Sequence, residues 1–259
     1  MDKGKEDERI AKVIARAGLC SRRDAERWIL AGRVSVNGKM LDSPAFTVGP
    51  ADKIVVDGRP LPAAEAPRLF LYHKPVGLVT TARDEKGRPT VFAHLPQDLP
   101  RVVSVGRLDL MSEGLLLLTN DGGLARYLEL PANALERRYR VRVHGDVNPA
   151  ALARLAQGVT VEGVRYGPVE ARIEGGKGSA NSWIAVTLKD GKNREVRKVL
   201  AHIGLHVNRL IRTAYGPFQL GSLLPGAATE VPPNTLKDKL PGYFVPCSRP
   251  PSAKRNGQH

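Results

Sequence analysis

One loop of the sequence holds a carboxylate in a position suited to chemistry. Asp109 ends the run Gly106-Arg107-Leu108-Asp109 and precedes the apolar residues 115–118, which are typical of a buried strand. A carboxylate there could add covalently to a substrate, stabilise developing positive charge or remove a proton. A loop aspartate by itself is more often a turn residue. The residue types alone leave these three chemical roles and the structural one open.

Other groupings of reactive side chains do not match a known site. His202 and His206 have the spacing of a metal-binding pair, but Ile203 stands where the H-E-x-x-H motif has its glutamate. Cys20 and Cys247 lie far apart without neighbouring ligands, which argues against a disulfide framework and a zinc site. No serine occupies a recognisable nucleophile elbow. We therefore expect neither a metal nor a cofactor.

The composition favours a polyanionic partner. The 259 residues suffice for two modest domains, and 40 basic against 26 acidic residues give a formal net charge of +14. Such a balance favours binding to nucleic acid, because neutralised phosphates release their counterions. No apolar run is long enough for a membrane span, and the charged N-terminal stretch MDKGKEDERI is followed by no apolar region typical of an export signal, so we do not expect export. We expect a cytoplasmic protein that makes no membrane contact.

The elements at the N-terminus predict a small domain with a basic face. Apolar residues at helical spacing indicate two short helices over residues 9–33, with Ser21 as the cap of the second. A strand at 34–36 enters an Asn-Gly turn, and another strand is expected over residues 52–57. Seven basic residues of the helical stretch outnumber two acidic ones: Arg9, Lys12, Arg16, Arg22, Arg23, Arg27 and Arg33 against Asp24 and Glu26.

A specific resemblance gives these arginines a function. The stretch ERIAKVIARAGLCSRRDAERWILAGRVSVNGK is similar to the S4 RNA-binding domain, which we place at residues 1–60. A run of basic residues is often only a solvated helix surface. The resemblance instead implies RNA contact, and Arg22, Arg23 and Arg27 are the candidate contacts.

A second, larger domain follows a proline-rich linker at residues 61–67 and extends over residues 68–246. We predict an α+β fold with a mixed, mainly antiparallel central sheet flanked by helices. Residues 174–182 are predicted as a flexible hairpin loop, and residues 247–259 as a disordered basic tail. Strands are expected at 69–72, 78–81, 101–105, 115–119, 138–143 and 182–188, and helices at 123–129, 149–157 and 193–203.

Four motifs follow one another along this second domain. They are Lys74-Pro75-Val76-Gly77, Gly106-Arg107-Leu108-Asp109, Arg138-Tyr139-Arg140-Val141 and GKNREVRKVL at 191–200. Together they resemble the pseudouridine synthases, specifically the branch that acts on ribosomal RNA. The resemblance implies that the chain isomerises a uridine without a cofactor, and that Asp109 is the covalent catalyst.

The resemblance also implies partners for Asp109. Arg197 is expected to form a salt bridge that keeps the carboxylate ionised in a dry pocket, although a plain phosphate contact is the alternative. Tyr139 is expected to stack on the target base, whereas a lone tyrosine on an apolar strand face is more often a core residue. One face of that strand is apolar and the other is basic: Tyr139, Val141 and Val143 against Arg138, Arg140, Arg142 and His144.

The target uridine must leave its stack before C1′ and C5 become accessible, and contacts with the RNA backbone must offset that cost. Glu195 stands where the family usually has glutamine, which adds a negative charge beside the arginines, and we assign it no catalytic role. The candidate RNA contacts of the second domain are Lys74, Arg107, Lys192, Arg194, Lys198 and Arg209.

The expected partner is ribosomal RNA, or a ribosomal assembly intermediate, bound by a monomer. The stretch YHKPVGLVTTARDEKGRPTVF is more similar to the large-subunit synthase B subgroup, which favours 23S over 16S RNA. The alternative from another class is a non-catalytic RNA-binding or assembly factor, which would have no need of a carboxylate in a basic cleft. A different RNA-acting transferase would require a cofactor motif, and none is recognisable.

Overall fold

The computed structural model describes residues 7–175 and 181–244, and these divide into two compact units. The first comprises residues 7–68 together with 99–103 and 119–122, and the second comprises the remainder. The predicted tail at 247–259 lies outside the described residues, as does most of the loop predicted at 174–182. Residues 61–68 have neither helix nor strand.

The first unit contains both predicted helices and the predicted strands. The elements are β1 (Glu8–Arg9), α1 (Ile10–Arg16), α2 (Arg22–Leu30), β2 (Val34–Val36), β3 (Lys39–Met40), β4 (Thr47–Val48), β5 (Ile54–Val56) and β6 (Arg59–Pro60). Four of the strands form a sheet in the order β3-β2-β5-β6, in which every neighbouring pair is antiparallel. The strands β1 and β4 form a separate antiparallel pair.

Local sequence signals explain these elements. The Ser21 hydroxyl accepts a hydrogen bond from the Asp24 backbone N–H at 3.1 Å, and Asp24 reaches back to the Ser21 backbone, so that the two form a capping box at the start of α2. Asn37 and Gly38 both have positive φ, as a tight hairpin turn between β2 and β3 requires. The apolar faces of the helices are buried, and Arg22, Arg23 and Arg27 remain exposed.

The remaining elements build the second unit around a large sheet. They are β7 (Leu69–Lys74), β8 (Val103–Val105), β9 (Glu113–Thr119), α3 (Gly122–Glu129), β10 (Arg137–His144), α4 (Pro149–Arg154), β11 (Val159–Val161), β12 (Val164–Tyr166), β13 (Val169–Gly175), β14 (Asn181–Leu188), α5 (Glu195–His202), β15 (His206–Tyr215), β16 (Phe218–Gln219), β17 (Ala228–Glu230), α6 (Pro233–Lys239) and α7 (Pro241–Phe244).

The large sheet confirms the predicted fold class. Its strand order over the described residues is β13-β14-β10-β15-β9-β7-β17, with β16 on β15 and β8 on β9. The β9–β15 pair is parallel, whereas β15 pairs antiparallel with β10 and β10 with β14. Val141 and Val143 of β10 are fully buried beside residues of α4 and α5, and the alternate residues of the strand are exposed, as predicted.

The strand predicted at 78–81 is wrong. Only an isolated bridge between Val79 and Thr90 forms there. The Val79 N–H donates to the Pro89 carbonyl at 3.0 Å, and the Thr80 hydroxyl bonds to the backbone of Leu108 at 2.8 Å. The hydrogen bonds of this apolar run therefore go to two loops rather than to a neighbouring strand.

Gly114 permits the close approach of β9 to β15. It pairs with Arg212 and has a φ of +101°, and a Cβ atom at this position would lie 2.3 Å from the Arg212 carbonyl oxygen. Both the backbone conformation and the space therefore require glycine. The strand that follows the Asp109 loop is joined to β15 at this point.

Replacement of Gly114 should destabilise the second unit. Gly114→Ala combines backbone strain with a clash against backbone that cannot move aside, so we expect the free energy of unfolding to fall by about 2 to 4 kcal/mol. The measurement is urea denaturation followed by Trp183 fluorescence in a Trp28→Phe background, which reports on the second unit alone.

Gly163→Ala is the matched control for Gly114→Ala. Gly163 also has positive φ, +75°, but nothing lies within 4 Å of its added Cβ. Its substitution should cost about 1 kcal/mol from backbone strain alone. Equal losses in the two variants would contradict the assigned close approach.

Candidate active site

Asp109 lies in a cleft of about 970 Å³ in the second unit, which we call the Asp109 cleft. Its walls come from residues 79–88, the loop 104–112 and the segment 190–196. Tyr139 and Arg212 line it from β10 and β15. Residues that are distant in sequence therefore converge on the predicted carboxylate.

The first half of the Asp109 loop is held through its backbone. The Glu129 carboxylate accepts from the Gly106 N–H at 2.6 Å. The buried Thr80 hydroxyl donates to the Leu108 carbonyl at 2.8 Å and accepts from the Leu108 N–H at 3.2 Å. The peptide groups ahead of Asp109 are thus fixed from two other elements.

The second half of the loop is held in the same way. The Gly77 N–H donates to the Leu110 carbonyl at 2.8 Å, and Arg197 Nη2 donates to the Met111 carbonyl at 2.9 Å. Lys74 Nζ donates to the Ser112 carbonyl at 2.8 Å. Because side chains and backbone on both sides satisfy the loop, Asp109 is presented to the cleft by a rigid support.

Lys74 is not placed for the RNA contact predicted for it. Its side chain is fully buried and is bonded to the carbonyls of Pro75 and Ser112. Burial lowers the pKa of Lys74 to about 8, and the charges of Asp109 and Glu113 act in the opposite direction. Lys74 therefore stabilises the Asp109 loop from within the protein interior, through its hydrogen bond to Ser112.

The ion pair of Asp109 also differs from the prediction. Arg194 Nη1 lies 3.9 Å from Asp109 Oδ2, and the Asp109 side chain is 34% exposed. Arg197 instead donates to the carbonyls of Met111 and Val207, both at 2.9 Å. Arg194 is the residue immediately before helix α5, and its backbone is in the left-handed region with a φ of 51°.

Arg197 nevertheless interacts electrostatically with the Asp109 carboxylate. Burial and the charge of Arg194 lower the pKa of Arg197, and Asp109 raises it. The predicted salt bridge between Arg197 and Asp109 is not formed: among the described residues Asp109 pairs with Arg194, and the terminal nitrogens of Arg197 donate to the carbonyls of Val207 and Met111. Arg197 contributes positive potential and loop support.

Tyr139 lies where the alternation of β10 predicted it. It is half-buried, packs against the core that contains Val141 and Val143, and lines the Asp109 cleft. One side of the ring thus meets apolar residues while another meets the cleft. Its role toward a base stays a prediction.

The predicted RNA contacts of the second unit separate into two groups. Arg107, Lys192 and Arg194 line the Asp109 cleft. Lys198 and Arg209 do not line the cleft. Lys198 forms an ion pair with Glu162 at 3.7 Å, and Arg209 forms one with Glu113 at 2.5 Å.

Sequence reasoning missed two buried arginines and a tyrosine of the cleft. Arg137 Nη2 donates to the Tyr215 hydroxyl at 2.8 Å, and Arg212 Nε donates to the Leu115 carbonyl at 2.7 Å. Their guanidinium carbons lie 4.7 and 5.1 Å from the centre of the Tyr215 ring. The signal for Arg212 was its place in the buried alternation of β15, between Leu210 and Ala214.

Glu195 has a structural function that agrees with its exclusion from catalysis. Its buried carboxylate accepts from the N–H groups of Gly191 and Lys192 at 2.8 and 2.7 Å. Burial raises the pKa of Glu195, and these two backbone bonds lower it. The carboxylate closes the turn that leads into Arg194.

The two histidines weighed as metal ligands do not share a helix. His202 ends α5, and His206 begins β15. Across residues 7–175 and 181–244, no cluster of three or more His, Cys, Asp or Glu side chains could hold a metal ion. In the same part of the chain no helix is long and apolar enough to cross a membrane.

Comparison with protein families identifies both parts of the chain. The RNA pseudouridylate synthase model matches residues 68–202, and the S4 domain model matches residues 8–54. An uncharacterized RNA pseudouridine synthase from Rickettsia bellii is 47% identical over 86% of this chain and 96% of its own length.

Other relatives have a more specific name. Ribosomal large subunit pseudouridine synthase B from Shigella flexneri is 44% identical, over 86% of this chain and 79% of its own. The protein of the same name from Pasteurella multocida is 43% identical, over 87% of this chain and 67% of its own. A crystal structure of a pseudouridylate synthase is similar with a TM-score of 0.63 and 26% identity, over 89% of this chain and 99% of its own.

The buried Lys74 should make stability depend on pH. Its folded pKa of about 8 lies below the ordinary 10.5, so between these values the unfolded chain binds more protons at this position. Stability must therefore rise with pH in that window. Relative to Lys74→Met, the wild-type free energy of unfolding should increase by about 3 kcal/mol, at about 1.4 kcal/mol per pKa unit.

The check is chemical denaturation at pH 7.5, 9 and 10.5, again followed through Trp183. Lys237→Met removes an exposed lysine of the same unit and serves as the control, and its difference from wild type should stay constant. A pH-independent difference for Lys74→Met would contradict the assigned burial of the ammonium group.

Proposed function

The chain belongs to the RNA pseudouridylate synthase family, and on that premise we propose that it isomerises a uridine of 23S ribosomal RNA with Asp109 as the catalytic carboxylate. It is a pseudouridine synthase, an isomerase, and it carries an S4 domain. The observation that supports Asp109 most directly is its position: a partly exposed carboxylate on a rigidly held loop, facing a basic cleft beside Tyr139.

The reaction explains why a carboxylate is needed. Isomerisation breaks the N1–C1′ bond of uridine, turns the uracil and joins C5 to C1′, with no change in composition. Positive charge develops at C1′ when the first bond breaks. Asp109 can stabilise that charge, add covalently or remove a sugar proton, and each of these roles requires the ionised form.

Several cations lie near Asp109 and place positive charge beside its carboxylate. Arg194 is its ion-pair partner, and Arg197 and Lys74 place further positive charge nearby. Tyr139 presents its ring to the same cleft and would stack on the uracil once the nucleotide has left its helix. Arg107, Lys192 and Arg194 line the entrance and would contact the phosphates of the displaced strand.

Two features support large-subunit ribosomal RNA as the substrate. The relatives named ribosomal large subunit pseudouridine synthase B cover most of this chain at 43% to 44% identity. The S4 domain exposes Arg22, Arg23 and Arg27 on one helix, which suits contact with structured RNA. We propose that residues 1–60 anchor the enzyme on this RNA in the cytoplasm and that residues 68–246 carry out the isomerisation.

Asp109→Asn should abolish activity without loss of binding. The amide is neutral and nearly isosteric, so tritium release from C5-tritiated uridine in 23S transcripts should fall by at least about 10⁴-fold. RNA affinity should stay within a few-fold of wild type. Asp146→Asn, an exposed loop substitution away from the cleft, is the matched control and should retain full activity.

Three results of this experiment would contradict parts of the proposal. Failure of the wild type to release tritium from 23S or 16S transcripts would favour an RNA-binding or assembly factor. Release from 16S alone would overturn the large-subunit assignment. A parallel loss of binding and activity in Asp109→Asn would make Asp109 structural.

The S4 domain should contribute salt-dependent affinity. Replacing Arg22 and Arg23 by alanine should weaken RNA binding and reduce the slope of log affinity against log salt by about 0.7 to 0.9 per lost phosphate contact. The maximal rate at saturating RNA should be unchanged, because the chemistry resides in the other unit. Lys237→Ala removes an exposed lysine outside the S4 domain and should leave the slope unaltered. An unchanged slope in the double variant would remove these arginines from the RNA interface.

A further inference from the structure

Arg212 is a buried cation at the wall of the Asp109 cleft. It is only 3% exposed, and its Nε donates to the Leu115 carbonyl at 2.7 Å. Nη2 is buried and has no hydrogen-bond partner among the residues that the structure describes. A buried donor without a partner carries a substantial energetic cost, so its retention in the cleft suggests that a ligand supplies the acceptor.

The charge of Arg212 is equally uncompensated. Asp109 and Glu113 are the two carboxylates that, like Arg212, influence the pKa of Lys74. Both form ion pairs with other arginines, Asp109 with Arg194 and Glu113 with Arg209. The Tyr215 ring, 5.1 Å away, offers a weak cation–π contact that it shares with Arg137. The inner end of the cleft therefore combines positive potential with an unused donor.

The proposed reaction creates a negative charge for which the predicted residues have no counterpart. When the N1–C1′ bond breaks, its electron pair stays on the base and is delocalised over N1, O2 and O4. Asp109 responds to the positive charge at C1′, and Tyr139 stacks on the ring. Neither of them neutralises the anionic base.

We propose that Arg212 donates through Nη2 to a carbonyl oxygen of the flipped uracil and stabilises the negative charge of the departing base. The inference rests on the proposed function. The electron pair returns when C5 bonds to C1′, after which C5 loses a proton and N1 gains one, so no further reactant is consumed. A donor placed where charge develops acts mainly in the transition state.

The other cations of the site are less suited to this task. Both terminal nitrogens of Arg197 are bonded to backbone carbonyls, and Arg197 is absent from the cleft wall. Lys74 donates to two carbonyls beneath the loop. Arg194 is half-exposed and pairs with Asp109. Arg197 Nε and Arg212 Nη2 are both buried donors without a partner among the described residues, but of these two arginines only Arg212 lines the cleft.

The test compares two leaving groups in single-turnover reactions at saturating enzyme. The RNA carries uridine or 5-fluorouridine at the position that the wild type modifies, and loss of the starting nucleoside is followed after nuclease digestion. Fluorine stabilises the base anion, so cleavage then depends less on the enzyme. Arg212→Gln should slow the reaction of uridine by about 10²- to 10³-fold and that of 5-fluorouridine by at least about tenfold less. RNA affinity should change less than about threefold, because the contact strengthens in the transition state.

Two further variants make the result specific. Arg142→Gln removes an exposed arginine from the opposite face of β10 and should leave both rates unchanged. Arg212→Lys keeps the charge and should lose less activity than Arg212→Gln. If Arg212→Gln does not fold, Arg212→Lys decides: a larger loss for uridine than for 5-fluorouridine supports the role, and equal losses overturn it.

The outcomes separate this inference from the proposed function. Equal slowing of both substrates by Arg212→Gln, or weaker RNA binding at an unchanged rate, overturns the role of Arg212 while an active wild type retains the proposed function. A wild type without activity on either RNA overturns both.

Discussion

The rigid support of the Asp109 loop is the constraint on which the site depends. The peptide groups at Gly106, Leu108, Leu110, Met111 and Ser112 are each bonded to a group outside the loop. These groups come from α3, from the segment after β7, from α5 and from β7 itself. A carboxylate that must meet a transient charge gains from a fixed position, because no energy is then spent on ordering it during the reaction. The close β9–β15 pairing at Gly114 anchors the end of the same loop.

The charge distribution around this loop follows a second physical rule. Buried cations are stable when backbone carbonyls, ring faces or carboxylates satisfy them, and Lys74, Arg197 and Arg137 mainly use carbonyls. Because these bonds leave the net positive charge in place, the cleft surrounds Asp109 with positive charge and can attract a polyanion. Arg212 lines the cleft and has one donor, Nη2, that is unused within the described residues. Support of the loop and electrostatics of the cleft thus arise from the same side chains.

The predictions from the sequence that were wrong share a cause. The apolar run at 78–81 was predicted as a strand because periodicity does not show which partner will satisfy the backbone. The partners are Pro89 and Val91 for the backbone of Val79, and the Asp109 loop for the Thr80 side chain. Lys74 was placed with the RNA contacts because a lysine is normally exposed, but it is buried beneath Ser112. Arg197 and Arg194 lie one helical turn apart. Their spacing does not show which of them meets Asp109, and in the structure it is Arg194, the residue that precedes α5.

The sequence by itself determined the two-part organisation, the α+β class, most helices and strands, the alternation of β10 and the family, since these depend on local patterns and on ordered motifs. It also singled out Asp109 and Tyr139, which the fold brings to one cleft. The tertiary structure alone decided which cations support the loop, which one pairs with the carboxylate and which cation of the cleft wall has a donor without a partner in the described chain. Those properties depend on distances between residues far apart in the chain, which alternation and charge along the sequence do not specify.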